Sequence, residues 1–145
     1  GTGVKVILSD TINVPNVAGP SVSGAATSTT TNKLVDSNAE FSANLVGFIV
    51  YNTTDSTVAK VTAVDSATQL TLSANIMANG ENYTLYSDTN PGCVLYSGNG
   101  GDIEVLTSSG ALLLFAAVPA GSFLPVQVKR VLSGNTSANN ILALW

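Results

Sequence analysis

The chain has 145 residues, nine acidic and five basic, with a net charge of −4, no histidine, one cysteine and one methionine. That inventory excludes His-based catalytic triads, His metal sites and Cys-rich zinc sites within one chain. It also excludes a disulfide scaffold, which needs two cysteines, and it makes the chain a poor binder of a phosphate backbone.

Length allows one domain or two small lobes sharing a core. Apolar residues make up 45% and charged residues only 10%, against about 25% charged in an average soluble domain. Ser, Thr and Asn together contribute 46 residues, about a third of the chain. A surface of Thr, Ser, Asn and Gly instead of charge suits a protein covered by other subunits, or an extracellular β-domain. The longest apolar run, Ala111 to Val118, has eight residues, well short of the roughly 20 that span a bilayer as a helix. Gly1–Asp10 lacks the basic flank and apolar stretch of a signal peptide.

In chain order, Val4–Leu8 is a short strand. Asn13–Asn32 is uncharged, with two prolines, two glycines and many small polar residues. Such a stretch cannot fold alone. It is an extended arm lying on a neighbouring subunit, or a long surface loop, so residues 1–32 form an N-terminal strand and arm.

A first β lobe spans residues 33–88. Ser37 and Glu40 have capping-box spacing, and Phe41 and Leu45 lie four apart, predicting one short helical turn. Phe48–Tyr51 is a strand ending at Asn52–Ser56. Val58–Asp65 and Thr68–Ser73 alternate in the period-2 pattern of half-buried strands. Asn79-Gly80 is a turn, and Tyr83–Tyr86 resumes a strand. Together these predict an antiparallel meander or half-barrel.

A second β lobe spans residues 89–145, with a sandwich or jelly-roll-like architecture. Val94–Tyr96 and Ile103–Thr107 flank a glycine-rich turn, and Ser108-Ser109-Gly110 is a hairpin turn. Ala111–Val118 is apolar on both phases, predicting a central strand buried on each side. Leu124–Leu132 alternates, with Leu124, Val126 and Val128 inward. Asn140–Trp145 ends on Ile141, Leu142, Leu144 and Trp145, predicting a last strand docked in the sheet or against a partner. The fold class is therefore all-β, with two antiparallel lobes and very little helix.

Chemical motifs are weak. Gly98-Asn99-Gly100-Gly101 lacks the following Lys-Ser/Thr of a phosphate loop and is a hairpin turn. Asp88, Asn90 and Asp102 have oxygen ligands suited to Ca²⁺ but lack the later bidentate Glu of a proper loop. Glu81 with Asp55, Asp65 or Glu104 could pair for sugar hydrolysis, with Tyr51, Tyr83 and Tyr86 as the available groove aromatics. Cys93 has no His to activate it, so a buried neutral thiol is expected. Lys129-Arg130 is the one basic pair, either a solvated edge or a salt-bridge partner for an acidic surface. No enzyme and no cofactor is expected.

Two stretches carry a resemblance. Asn32–Asp88 contains LVDS-x-A-x-F, VG-x-x-VYNTTD-x-T, V-x-AV-x-SAT-x-LTLS and Y-x-LY, and Gly101–Trp145 contains GD-x-x-V-x-T, VPAGSFLPV-x-VKRV and T-x-A-x-x-I-x-ALW. These resemble segments of small tailed-bacteriophage virion proteins, in particular capsid decoration (cement) proteins. The resemblance implies a structural protein on the capsid exterior of the virion. It would clamp neighbouring major capsid proteins as a homotrimer at three-fold or quasi-three-fold positions, without nucleic acid or membrane. Neck, tail or fibre-associated parts share such segments, and a sugar-binding β-domain is the reading outside the virion. Partner-binding residues expected in this role are Val14, Val17 and Val22 on the arm and Leu142, Leu144 and Trp145 at the docked end.

Overall fold

A computed structural model describes residues 1–145. The protein is all-β, 2% helical and 46% strand, with two antiparallel sheets of six strands, one curled into a half-barrel. Strand β1 (Gly3–Lys5) opens the chain. The strands β2 (Ser21–Ala25), β3 (Lys33–Val35), β4 (Ile49–Asn52), β5 (Thr57–Ser66), β6 (Gln69–Leu72) and β7 (Asn82–Tyr86) follow. The last five are β8 (Cys93–Ser97), β9 (Gly101–Thr107), β10 (Leu112–Val118), β11 (Ser122–Val131) and β12 (Ile141–Leu144). They form two compact units: Gly19–Asp88, and Gly1–Ala18 together with Thr89–Trp145.

In the unit of residues 19–88 the sheet order is β2-β7-β4-β5-β6-β3. Period-2 alternation drives it: Ala59, Val61, Leu70, Leu72, Tyr83 and Leu85 point into one core with Leu34, Phe41 and Leu45. Register shifts within β5, between Val61 and Ala63 and between Val64 and Ser66, add the local twist a sheet needs to curl. Past β2, the Thr27 N–H donates to the Val35 carbonyl at 2.8 Å, which draws the two edge strands together. Gly80, with φ +87°, supplies the left-handed residue of the turn before β7.

Two polar residues organise that unit from inside. Asn52 is buried; its Oδ1 accepts the Thr54 and Asp55 N–H groups at 2.9 Å each, and its Nδ2 donates to the Ile76 carbonyl at 2.8 Å. Asp36 is buried and accepts the Tyr83 hydroxyl at 2.6 Å and the Asn38 N–H at 2.9 Å. That Asn38 bond is an Asx turn, which competes with helix formation. The helical turn accordingly falls later than the Ser37–Glu40 spacing predicts, at Ala43–Leu45, with Ser42 before it and no side-chain cap.

In the other unit the order is β1-β12-β8-β11-β9-β10. The inward side chains Cys93, Leu95, Ile103, Val105, Leu124, Val128, Val131, Ile141 and Ala143 make one core. The N-terminal segment closes over it. Val6 donates to Ile141, Ser9 to Val131 and Val14 to Lys129 through backbone bonds of 2.8, 3.0 and 2.7 Å, and Val6 and Val14 join the core. The chain end is docked as expected: β12 lies between β1 and β8.

Three local expectations are corrected. The Asn13–Asn32 stretch, expected as an arm on a neighbouring subunit or a long surface loop, is built into this chain's own fold: residues up to Ala18 belong to one unit, and β2 pairs with β7 in the other. Lys129-Arg130 is not a solvated edge. The Arg130 Nε donates to Asn13 Oδ1 at 3.0 Å and its Nη1 to the Asp10 carbonyl at 3.1 Å, pinning the N-terminal segment. Ala111–Val118 is not central either, because β10 pairs only with β9 and forms the sheet's edge.

Candidate interaction surface

An antiparallel sheet with one face on a core normally turns polar residues outward. The sheet of β1 and β8–β12 sets large apolar residues among the polar ones on that face. Cys93, Leu95 and Ser97 of β8 point inward, so Val94 and Tyr96 point out. By the same alternation Ile141 and Ala143 point inward and Leu142 and Leu144 outward. Register aligns them across strands: Leu142 lies opposite Tyr96, and Phe123 of β11 lies opposite Tyr96 on its other side. The Tyr96 and Phe123 rings pack tilted, with centroids 5.1 Å apart at 58°, a favoured aromatic geometry. Phe123 is nonetheless 63% exposed.

A second outward group sits on β9 and β10. Leu106 is opposite Leu112, and Leu114 is opposite Glu104. Leu112 and Leu114 are 62% and 53% exposed, and Leu113, on the other face opposite the core residue Val105, is still 41% exposed. The Glu104 carboxylate is engaged by the Asn135 amide at 3.2 Å. Clustered exposed leucines and aromatics of this kind mark interaction surfaces, whereas single scattered ones do not.

The partner-binding residues expected from sequence divide accordingly. Leu142 and Leu144 lie on the outward face, Leu142 exposed and Leu144 half-buried. Trp145 is half-buried; its Nε1 donates to Asn90 Oδ1 at 3.2 Å and its backbone N–H to the Thr2 carbonyl at 2.9 Å. Val14, at 3% exposure, is core and presents nothing to a partner. Val17 is half-buried, and Val22 is exposed on β2, an edge strand of the other unit. Sequence reasoning passed over Phe123, Val94, Tyr96 and the β10 leucines as contact residues. Their signal was present, since apolar residues occupy both phases of these strands.

The chemical candidates disperse into structural roles. Asp65 accepts Lys33 Nζ at 2.8 Å, Gln69 Nε2 at 2.8 Å and Thr71 Oγ1 at 2.8 Å, with the Lys33 bond foremost in holding its carboxyl down at about 2. Glu81 accepts the Ala78 N–H at 2.5 Å. Asp102 accepts the Ala117 N–H at 2.9 Å, and Asp88 pairs with Lys60 at 2.8 Å. Tyr51 and Tyr83 are buried, and Tyr83 closes the floor of a surface recess beside Asp36 and Glu40, where its hydroxyl is already committed to Asp36; burial, and for Tyr83 also the Asp36 carboxylate, push their hydroxyls upward. Cys93 is buried, and burial pushes its thiol up to about 11 against a smaller opposing effect of Asn90. At neutral pH this is an inert thiol. The chain matches no family model, no curated protein and no solved structure.

Proposed function

We propose that this chain is a non-enzymatic structural protein of a tailed-bacteriophage particle that decorates and cements the capsid exterior by binding neighbouring major capsid subunits. The observation that carries the reading is the outward apolar face of the β1/β8–β12 sheet, with Phe123, Val94 and Leu142 uncovered beside Tyr96. The Gly101–Trp145 motifs supply the class of particle, and the same segment builds most of that face.

The physics suits a binder that acts only on an assembled surface. Few long charged side chains lie on the molecule, so ordering its surface costs little rotamer entropy. Repeated weak contacts on a symmetric shell add up through avidity, and binding the assembled shell alone stabilises it by mass action. The test is stoichiometry on purified particles of the phage that encodes the chain. Decoration predicts a band approaching the major capsid protein in copy number. A faint band of a few copies per particle would assign the chain to the neck or tail, and absence from particles would end the virion reading.

A further inference from the structure

The open backbone edge of β10 is a different surface from the sheet's outward face, and it is unguarded. Natural edge strands are blunted by Lys, Pro, inward charges or brevity. The opposite edge, β1, has three residues and carries Lys5. β10 has seven residues, LLLFAAV, with neither charge nor proline.

Its hydrogen-bonding phase follows from the hairpin. Gly110, with φ +92°, closes the turn by donating to the Thr107 carbonyl at 3.0 Å, and the Thr107 N–H donates to the Ala111 carbonyl at 2.8 Å. Residues 107 and 111 are thus a hydrogen-bonded pair. Bonded and non-bonded pairs alternate along an antiparallel ladder, so Leu113 opposite Val105 is bonded and Leu112 and Leu114 are not. The N–H and C=O groups of Leu112 and Leu114 therefore face away from β9, into the open edge. The regular stretch stops at the irregularity between Phe115 and Val118, where Ala117 has φ +53°.

We propose that this edge pairs with the same edge of a second copy, β10 antiparallel to β10 about a two-fold axis through Leu113. The occupant follows from self-complementarity. In this register Leu112 faces Leu114 of the other copy in a hydrogen-bonded pair on each side of the axis. The two Leu113 residues face each other in the closer, non-bonded pair. All four free backbone groups of Leu112 and Leu114 are satisfied within the regular segment. Leucine meets leucine, and an uncharged strand sets no like charges opposite one another although the chain carries −4 overall. An isologous contact of this kind closes at two copies. It is a pairwise contact where the phage resemblance implied a three-fold one, and it stands or falls independently of the decoration reading.

The test is the mass of the full chain in solution by light scattering and sedimentation equilibrium. The expected species is a dimer, twice the 14.7 kDa of the chain. Leu114→Pro removes a donor that serves no bond to β9, and Leu114→Lys places a charge at the edge; each weakens the dimer by roughly tenfold or more. Circular dichroism checks that the sheet is retained, and if Leu114→Pro unfolds, Leu114→Lys decides. Leu113→Cys forms an intermolecular disulfide under mild oxidation, since non-bonded pairs bring Cα atoms to about 4.5 Å, and Phe123→Cys does not. A monomer at all concentrations, a trimer, a dimer indifferent to both Leu114 variants, or equal cross-linking at 123 would overturn the proposal.

Discussion

The two sheets have equal strand numbers but finish their edges differently. In residues 19–88, the Thr27–Val35 bond brings the edge strands together, and the polar interior groups Asp36 and Asn52 are fully engaged. That unit curls into a half-barrel and leaves Val22 and Val46 as its exposed large apolar residues. The sheet of β1 and β8–β12 stays open, covers its inward face with its own N-terminal segment, and leaves leucines and aromatics on the outward face and on β10. The difference is one of where large apolar side chains end up: mostly inside the curled sheet, and on both sides of the open one.

The sharpest way to break that contrast is through the cores, which should behave alike. Leu70→Ala and Leu95→Ala, at positions fully buried in the two units, should each cost about 2–5 kcal/mol by denaturant unfolding. A negligible cost at either would mean that its sheet is not packed as described. Next in size is Gly24→Ala in the curled sheet. A Cβ there would lie 2.6 Å from Asp36 Oδ2 and 2.7 Å from the Tyr83 hydroxyl, displacing a buried hydrogen bond. The expected loss is about 1–3 kcal/mol; an unchanged midpoint would show that the Asp36–Tyr83 pair has room to move.

On the outward face the opposite is expected. Phe123→Ser and Leu112→Ser should change the stability of the isolated chain by no more than about 0.5 kcal/mol, while weakening its association. A loss comparable to the core substitutions would show that these side chains serve the fold. The smallest effect concerns acid. Asp65 has its carboxyl lowered from 3.8 to about 2, first by Lys33. A depressed carboxyl stabilises above its unfolded value and loses that contribution as pH falls from about 4 towards 2. Asp65→Asn should therefore lower the melting temperature modestly at pH 7, with the gap to wild type closing near pH 2; an equal gap at both would contradict the assignment.

Much of the architecture could be read from period-2 patterning and turn chemistry. Val58–Asp65, Thr68–Ser73 and Asn79-Gly80 each announced a strand or turn that the structure contains, and Cys93 is the buried thiol its isolation suggested. The failures have physical causes. Ser37–Glu40 matched a capping box, but the Ser37 N–H that Glu40 would cap donates instead to Thr27 Oγ1 at 2.9 Å. Asn13–Asn32 has too little apolar content to fold alone, yet Val14 and Ala26 are each held by a core made mostly elsewhere in the chain. Ala111–Val118 was placed at the centre because an apolar run is the pattern of a strand covered on both faces. Periodicity cannot distinguish cover supplied by the same chain from cover supplied by another. That ambiguity hid the exposed leucines of β10, while the run Ile141–Trp145 pointed to a docked last strand, which β12 is.

The most direct measurement is binding of the purified chain to expanded, undecorated shells, comparing wild type with a Phe123→Lys, Leu142→Lys double variant of matched stability. The outward-face account predicts saturable coverage by wild type and bare shells with the variant. Shells left bare by wild type, or covered equally by both proteins, would contradict it.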